Sequence, residues 1–307
     1  MDRIATKGEA AKAASRSCIV RGFALVLAIG LPGSLSTGFA EAIERAAPRV
    51  TAPAIFQRIV LLGASGTAGF EKSEPFGGPK THQYRFAYFV EAVSTGARDP
   101  VATEAATLLF LQAEETMTRQ VTATVAARPS LVVALDALFW FCYGAGLTPG
   151  QRVTRFEMGL RQLERIEAPL VIADLPDATS AVGKILSPEQ VPAPAVIGAC
   201  NQRLKEWAAA RKNVVVFPLA SLMAGALANR EMTFAGHAWK EGTSADLIRP
   251  DRLHPSQKGL AALAIAMLDA AATAFSPEAS GSLNRDLHVV LAAGVAKSRP
   301  VRGDAPK

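Results

Sequence analysis

The sequence predicts an α/β fold in which a mostly parallel sheet is covered by helices on both faces. Three observations carry that expectation. Short apolar runs at 59–62, 131–135, 169–175 and 213–219 read as buried strands. Segments with helical spacing of apolar residues separate several of them, as crossover connections between parallel strands require. Finally, three of the runs end on residues that carry chemistry: the turn holding Ser65, then Asp136, then Asp174. In open parallel sheets that end is where ligands bind. The chain has 307 residues, 50% of them hydrophobic. That is enough for one large core rather than two comfortable ones. No internal repeat is present.

The run 59–62 leads directly into Gly63-Ala64-Ser65-Gly66-Thr67-Ala68-Gly69, whose glycines permit a tight turn around a single serine hydroxyl. Three readings compete for this turn. It can be a strand-to-helix elbow presenting a serine nucleophile, a phosphate turn for a dinucleotide, or a plain structural βα connection. The second draws on a resemblance of spacing to the GxxGxxG turn of short-chain-dehydrogenase-like proteins. The next segment speaks against it. Residues 71–80 contain Pro75, Gly77, Gly78 and Pro79, which predict an irregular loop in place of a continuing helix. A Tyr-x-x-x-Lys proton-transfer pair is also missing from the chain.

Further along, 84–93 reads as a helix, and 101–125 as a short strand leading into a helix from about residue 111. The strand 131–135 delivers Asp136. The aromatic cluster that follows (Phe139, Trp140, Phe141 and Tyr143) reads as core packing in preference to a substrate wall. Val153, Phe156, Leu160 and Leu163 give 152–166 helical spacing. The strand 169–175 delivers Asp174, and prolines 176, 188, 192 and 194 mark a loop-rich passage. A helix over 199–212, a strand over 213–219 and a long loop over 233–250 follow. The helix 255–275 has Ser256 placed to cap it. Cys142 and Cys200 could pair in an oxidising compartment; two buried free thiols are the expected case.

Charge sits at the ends. Residues 1–40 carry five Lys/Arg against two Asp/Glu, residues 285–307 carry the same, and the body between is neutral overall. A nucleic-acid partner is therefore excluded, because binding one needs a basic surface on the folded body. In the N-terminal stretch Lys7, Lys12, Arg16 and Arg21 precede the apolar run 22–31, and small residues around Ala40 offer a cleavage site. That order reads as a secretory signal over 1–40. Ten strongly apolar residues fall short of a membrane span, so a membrane enters only if this segment stays uncleaved as an anchor. The expected organisation is a signal over 1–40, a catalytic domain over 41–280 and a basic, poorly ordered tail over 281–307. The expected location is exported, periplasmic or secreted.

The chemistry gathers late in the chain. Asp251 and His254 lie three apart just before a helix. That spacing lets a carboxylate meet one imidazole nitrogen while the other faces a serine. His82, His237 and His288 have no partner at a telling spacing. With Ser65 these residues complete a pattern that resembles the GDSL/SGNH hydrolases. Gly63-Ala64-Ser65 with Gly69 is similar to that family's first block, and Asp251-Arg252-Leu253-His254-Pro255 with Gly259 to its last. Asn201 with Leu204 resembles a further feature of the family. The likeness spans about 60–275.

The resemblance implies a three-layer α/β/α fold with a flavodoxin-like central sheet and hydrolysis of esters; no cofactor is expected, and with no CxxC, HExxH or Cys/His cluster in the sequence no dedicated metal site is expected either. The substrate would be a small-molecule, lipid, aryl or O-acetyl-sugar ester. By position, Ser65 would be the nucleophile, His254 the base and Asp251 its orienting partner. Gly63, Ala64, Gly66 and Asp136 would line the oxyanion and substrate site. Two departures stand out. Asp136 occupies the place of an oxyanion asparagine, where it could repel the oxyanion, donate as a neutral acid, or turn away as a structural residue. The glycine of the second block is missing, with Ala105 or Ala106 nearest. These departures support an alternative: a catalytically impaired protein of the same fold that binds an acylated or glycan ligand.

Overall fold

The computed structural model describes residues 51–69 and 84–298. The signal expected over 1–40, the loop expected over 71–80 and His82 lie outside the described residues.

The chain alternates strands and helices. Strand β1 (Ile59–Gly63) runs into the single turn α1 (Ser65–Ala68), and α2 (Phe86–Val93) leads to β2 (Ala102–Ala105). Next come α3 (Ala113–Ala126), β3 (Leu131–Ala134), α4 (Phe139–Cys142), α5 (Pro149–Leu163), β4 (Leu170–Ala173), α6 (Pro194–Ala209) and β5 (Val214–Phe217). The C-terminal part holds α7 (Leu219–Leu227), the hairpin β6 (Met232–Phe234) and β7 (His237–Trp239), α8 (Gln257–Phe275) and α9 (Leu287–Lys297).

The five main strands form one all-parallel sheet in the order β2-β1-β3-β4-β5. This is the flavodoxin-like order, which reverses direction between β1 and β3. Strand periodicity divides the side chains between two faces. Ile59, Leu61, Leu131, Val133, Val171 and Ala173 pack on α2, α8 and α9. Leu62, Val132, Ala134, Leu170 and Ile172 pack on α3, α4, α5 and α6. Ile59 to Leu62 are all fully buried, and each such aliphatic side chain contributes about 1.5–3 kcal/mol. The three layers follow from a strand that is apolar on both faces.

Several elements differ from expectation. Helix α6 starts at Pro194, because proline at the first helical position forgoes an N–H that has no intrahelical acceptor. The expected loop 233–250 contains the hairpin β6–β7. Its two-residue turn puts Ala235 and Gly236 at positive φ (54° and 73°), the backbone that a tight hairpin needs. The basic tail expected over 281–307 is instead folded in its described part. Asp286 accepts from the N–H groups of His288 and Val289 at 2.9 and 3.1 Å, capping α9, and Leu287 and Val290 are buried in the core beside α2. The domain thus continues past 280 to at least 298.

Helix α8 is long and apolar enough to cross a membrane by composition, and it is mostly buried. Here it is the central core helix.

Candidate active site

At the C-terminal edge of the sheet, β1 ends in a turn whose geometry is set by Asp136 from the adjoining strand. Asp136 Oδ1 accepts from the Ala64 N–H (2.8 Å) and Thr67 Oγ1 (2.6 Å), and Oδ2 accepts from the Gly66 N–H (2.7 Å). The carboxylate lies so close that a Cβ on Gly63 would stand 2.2 Å from Oδ1, and one on Gly66 2.9 Å from Oδ2. Glycine at both positions is what admits the carboxylate. The Gly63 carbonyl is held in turn by Ala106 N–H (3.1 Å) and Gln120 Nε2 (2.9 Å).

These bonds decide among the readings of Asp136 and of the turn. With three donors converging on it, Asp136 serves as an acceptor; it fixes the serine turn and offers the cleft no donor. Gly66, expected in the oxyanion site, has its N–H committed to Asp136, as does Ala64. Gly63 is buried and contributes backbone shape. A pyrophosphate would need those same N–H groups, so the dinucleotide reading is withdrawn. The Ser65 N–H, at the first position of α1, is not among the donors that Asp136 engages.

Ser65 is half-buried, and its Oγ lies 2.9 Å from His254 Nε2. On the other side of the ring, His254 Nδ1 lies 2.8 Å from Asp251 Oδ2. Asp251 Oδ1 accepts from the N–H groups of Leu253 and His254, both at 2.9 Å. Asp251 and His254 are each 5% exposed. Burial pushes the Asp251 carboxyl upward, but His254 and the two backbone donors outweigh it and hold the group below its usual value.

The loop that carries the pair is built for this. The Arg249 N–H donates to the His254 carbonyl and the Ser256 N–H to the Leu247 carbonyl, both at 2.9 Å, so the loop folds back on itself. Arg252 sits at its tip with φ 59°. Ser256 Oγ then accepts from the Gly259 N–H at 3.0 Å, capping α8 as the sequence predicts. A Cβ on Gly259 would meet the Leu247 carbonyl oxygen at 2.1 Å, so only glycine lets α8 approach the base of the loop. Asn201, on α6, both donates to the Leu175 carbonyl and accepts from its N–H (2.9 and 2.8 Å), pinning the chain just past β4.

A cavity of about 440 Å³ opens beside Ser65 and His254. Leu135, Leu138, Phe139 and Trp140 line one side, Leu219, Leu222, Met223 and Phe234 another, and Leu175, Pro176, Ile185 and Leu186 contribute the loop after β4. Polar lining is sparse: Thr107, Asp136, Asp174 and Gln190 accompany Ser65 and His254. Asp174 is drawn to the start of α7, where its Oδ1 accepts from the Ala220 N–H at 2.6 Å, and burial raises its pKa.

The aromatic cluster divides in two. Phe141 and Tyr143 are core, with the Tyr143 hydroxyl donating to the Pro176 carbonyl at 2.6 Å, whereas Phe139 and Trp140 also face the cavity.

Sequence reasoning missed Thr107 and the α7–β6 wall. Thr107 follows β2 immediately after Ala106, beside the end of β1, so the position of the missing glycine block was the available signal. Of the other histidines, His237 Nε2 lies 3.3 Å from the Arg285 carbonyl oxygen and His288 is exposed on α9; neither lines the cavity. Cys142 and Cys200 are free and buried.

No protein-family model matches the chain, and no curated protein does. Among solved structures it is similar to the lipase/acylhydrolase from Enterococcus faecalis, with 18% identity, a TM-score of 0.47 and coverage of 75% of this chain and 98% of that one. It is also similar to a gut microbial diltiazem-metabolizing enzyme, with 15% identity, a TM-score of 0.46 and coverage of 73% of this chain and 48% of that one.

Proposed function

We propose that the chain is a serine hydrolase of the GDSL/SGNH type that cleaves carboxylic esters through an acyl-enzyme on Ser65. The observation that carries this reading is the unbroken relay from Ser65 Oγ through His254 to Asp251, buried at its acidic end and opening into an apolar cleft at its serine end. In the first half-reaction Ser65 Oγ attacks the ester carbonyl carbon while His254 Nε2 takes its proton. Asp251 holds the ring and stabilises the imidazolium. The proton then passes to the leaving alkoxide, and the acyl group stays on Ser65. Water, deprotonated by His254, attacks that acyl group, the bond to Ser65 Oγ breaks as Oγ takes the proton back from His254, and the acid is released.

Charge on the carbonyl oxygen needs donors. The Ser65 N–H, which Asp136 leaves unengaged, is one. Thr107, which lines the cleft from the end of β2, is our candidate for a second. The walls favour lipid or aryl esters over O-acetyl sugars, because sugar hydroxyls desolvated against leucine and phenylalanine would lose hydrogen bonds to water without replacement.

The alternative of a catalytically impaired ligand-binding protein draws on one observation: Asp136 sends no donor toward the cleft. One measurement separates the two. Purified protein is expected to hydrolyse p-nitrophenyl esters, with the activity lost in Ser65→Ala. Saturable binding of the ester without turnover would favour the impaired protein. We also propose that residues 1–40 direct export. The full chain is expected to be recovered outside the cytoplasm with a start near Glu41, and a start at Met1 would mean an uncleaved anchor; export of a variant lacking residues 1–40 would contradict the proposal.

A further inference from the structure

Five large apolar side chains are substantially exposed among those described, and three of them fall within four consecutive residues. Leu108 is 59% exposed, Phe110 41% and Leu111 65%. Phe110 and Leu111 belong to a 3-10 turn, Leu109–Leu111, and Leu108 immediately precedes it; the turn's own hydrogen bonds fix the outward display. The Leu109 N–H donates to the Ala106 carbonyl and the Leu111 N–H to that of Leu108, both at 3.1 Å, while Leu109 itself is fully buried as the anchor. Leu108 and Phe110 also line the cleft that holds Ser65, and the Phe110 ring packs on Trp140 at 5.2 Å. Leu111 is outside the cleft, at the outer margin of the same patch.

We propose that this turn is a docking surface for a neutral or zwitterionic lipid interface, placed so that an acyl ester can pass from that interface into the cleft. Continuity carries the argument: the exposed patch and the cleft wall share two side chains, Leu108 and Phe110, so apolar surface runs from solvent into the cleft that holds Ser65. Size and charge select the occupant. Three side chains offer at most a few hundred Å², against roughly 800 Å² per partner in a stable protein interface. A few inserted apolar side chains do suffice for reversible contact with a bilayer surface. Among the described residues, the neighbouring acids Glu114 and Glu115 face Arg155 (3.9 Å) and Arg119 (2.5 Å), so neither of these two cations is left over to hold an anionic headgroup.

The proposal rests on the ester-hydrolase reading only for the purpose of the docking, so the test reads docking without turnover. The full chain carries an environment-sensitive fluorophore on Leu111→Cys, in a Cys18→Ser, Ser65→Ala background; the buried Cys142 and Cys200 are shielded from the label. Phosphatidylcholine vesicles are expected to shift the emission to the blue and brighten it. An unchanged spectrum would overturn the proposal, whatever the N-terminal segment does on its own. A shift that tracks protein concentration without lipid would overturn it too, in favour of a second copy of this chain. In the otherwise intact protein, Leu111→Asp is expected to slow turnover of an aggregated ester by about tenfold or more and to spare a monomeric one. Loss on both substrates equally would contradict docking. A protein that turns over no ester but still shows the fluorophore shift would sink the hydrolase reading and leave the surface intact.

Discussion

Asp136 decides how the serine is presented. Its two oxygens serve three donors from residues 64–67. An asparagine can accept on one atom only, so Asp136→Asn turns an amide N–H toward a donor that is already there. The expected cost is about 1–3 kcal/mol of stability, read as a lower denaturant midpoint, together with a fall in kcat as the turn loosens. A faster Asp136→Asn enzyme would show that the carboxylate hinders the oxyanion instead. Asp251 is argued from its partners. Replacing it with asparagine is expected to lower kcat by about 10⁴, the scale seen when the orienting carboxylate of a serine triad is neutralised. Its pKa is depressed in the folded state. It therefore contributes stability that is present above the unfolded carboxyl value and is lost as pH falls through the folded one. Acid unfolding curves of wild type and Asp251→Asn should converge at low pH, and a constant gap would contradict this.

At the scale of elements, most strands and helices were legible because both faces of the sheet are buried and their apolar runs are continuous. The relay was legible too, since Ser65 ends a strand and Asp251 and His254 share one loop. What was not legible depends on tertiary context. The β6–β7 turn uses Ala235 and Gly236 in place of the Asn-Gly pair that announces such hairpins. The α9 segment looked like a basic tail because its charge is flanking, while its packing against α2 requires the folded partner. The role of Asp136 could not be read at all: a strand-ending acid shows no sign of whether it faces the cleft or the preceding turn. Gly259 marks the point where helix packing sets the loop that carries Asp251 and His254. Gly259→Ala drives a methyl group into the Leu247 carbonyl and is expected to cost about 1–3 kcal/mol. Because Leu247 also holds Ser256, activity should fall more than stability alone explains, as assayed below the unfolding transition.

Over the whole molecule, the parallel sheet brings Ser65 at the end of β1 and Asp136 after β3 to one edge, where α4, α7, β6 and α8 help to wall the cleft. The cavity of about 440 Å³ lies within the usual range for small-molecule sites. If it holds the acyl chain, kcat/KM for a series of p-nitrophenyl esters should rise with each added methylene, up to roughly fourfold per step, until the cleft is filled. A flat series would place the chain outside it. The central claim is that Ser65 is an activated nucleophile, and the most direct measurement is intact-mass analysis after exposure to an alkyl p-nitrophenyl phosphonate. The wild type should gain one phosphonyl group, located on Ser65 by peptide mapping, while Ser65→Ala gains none and His254→Ala gains it far more slowly. A wild-type protein that stays unmodified, or that is labelled at another residue, would contradict the account.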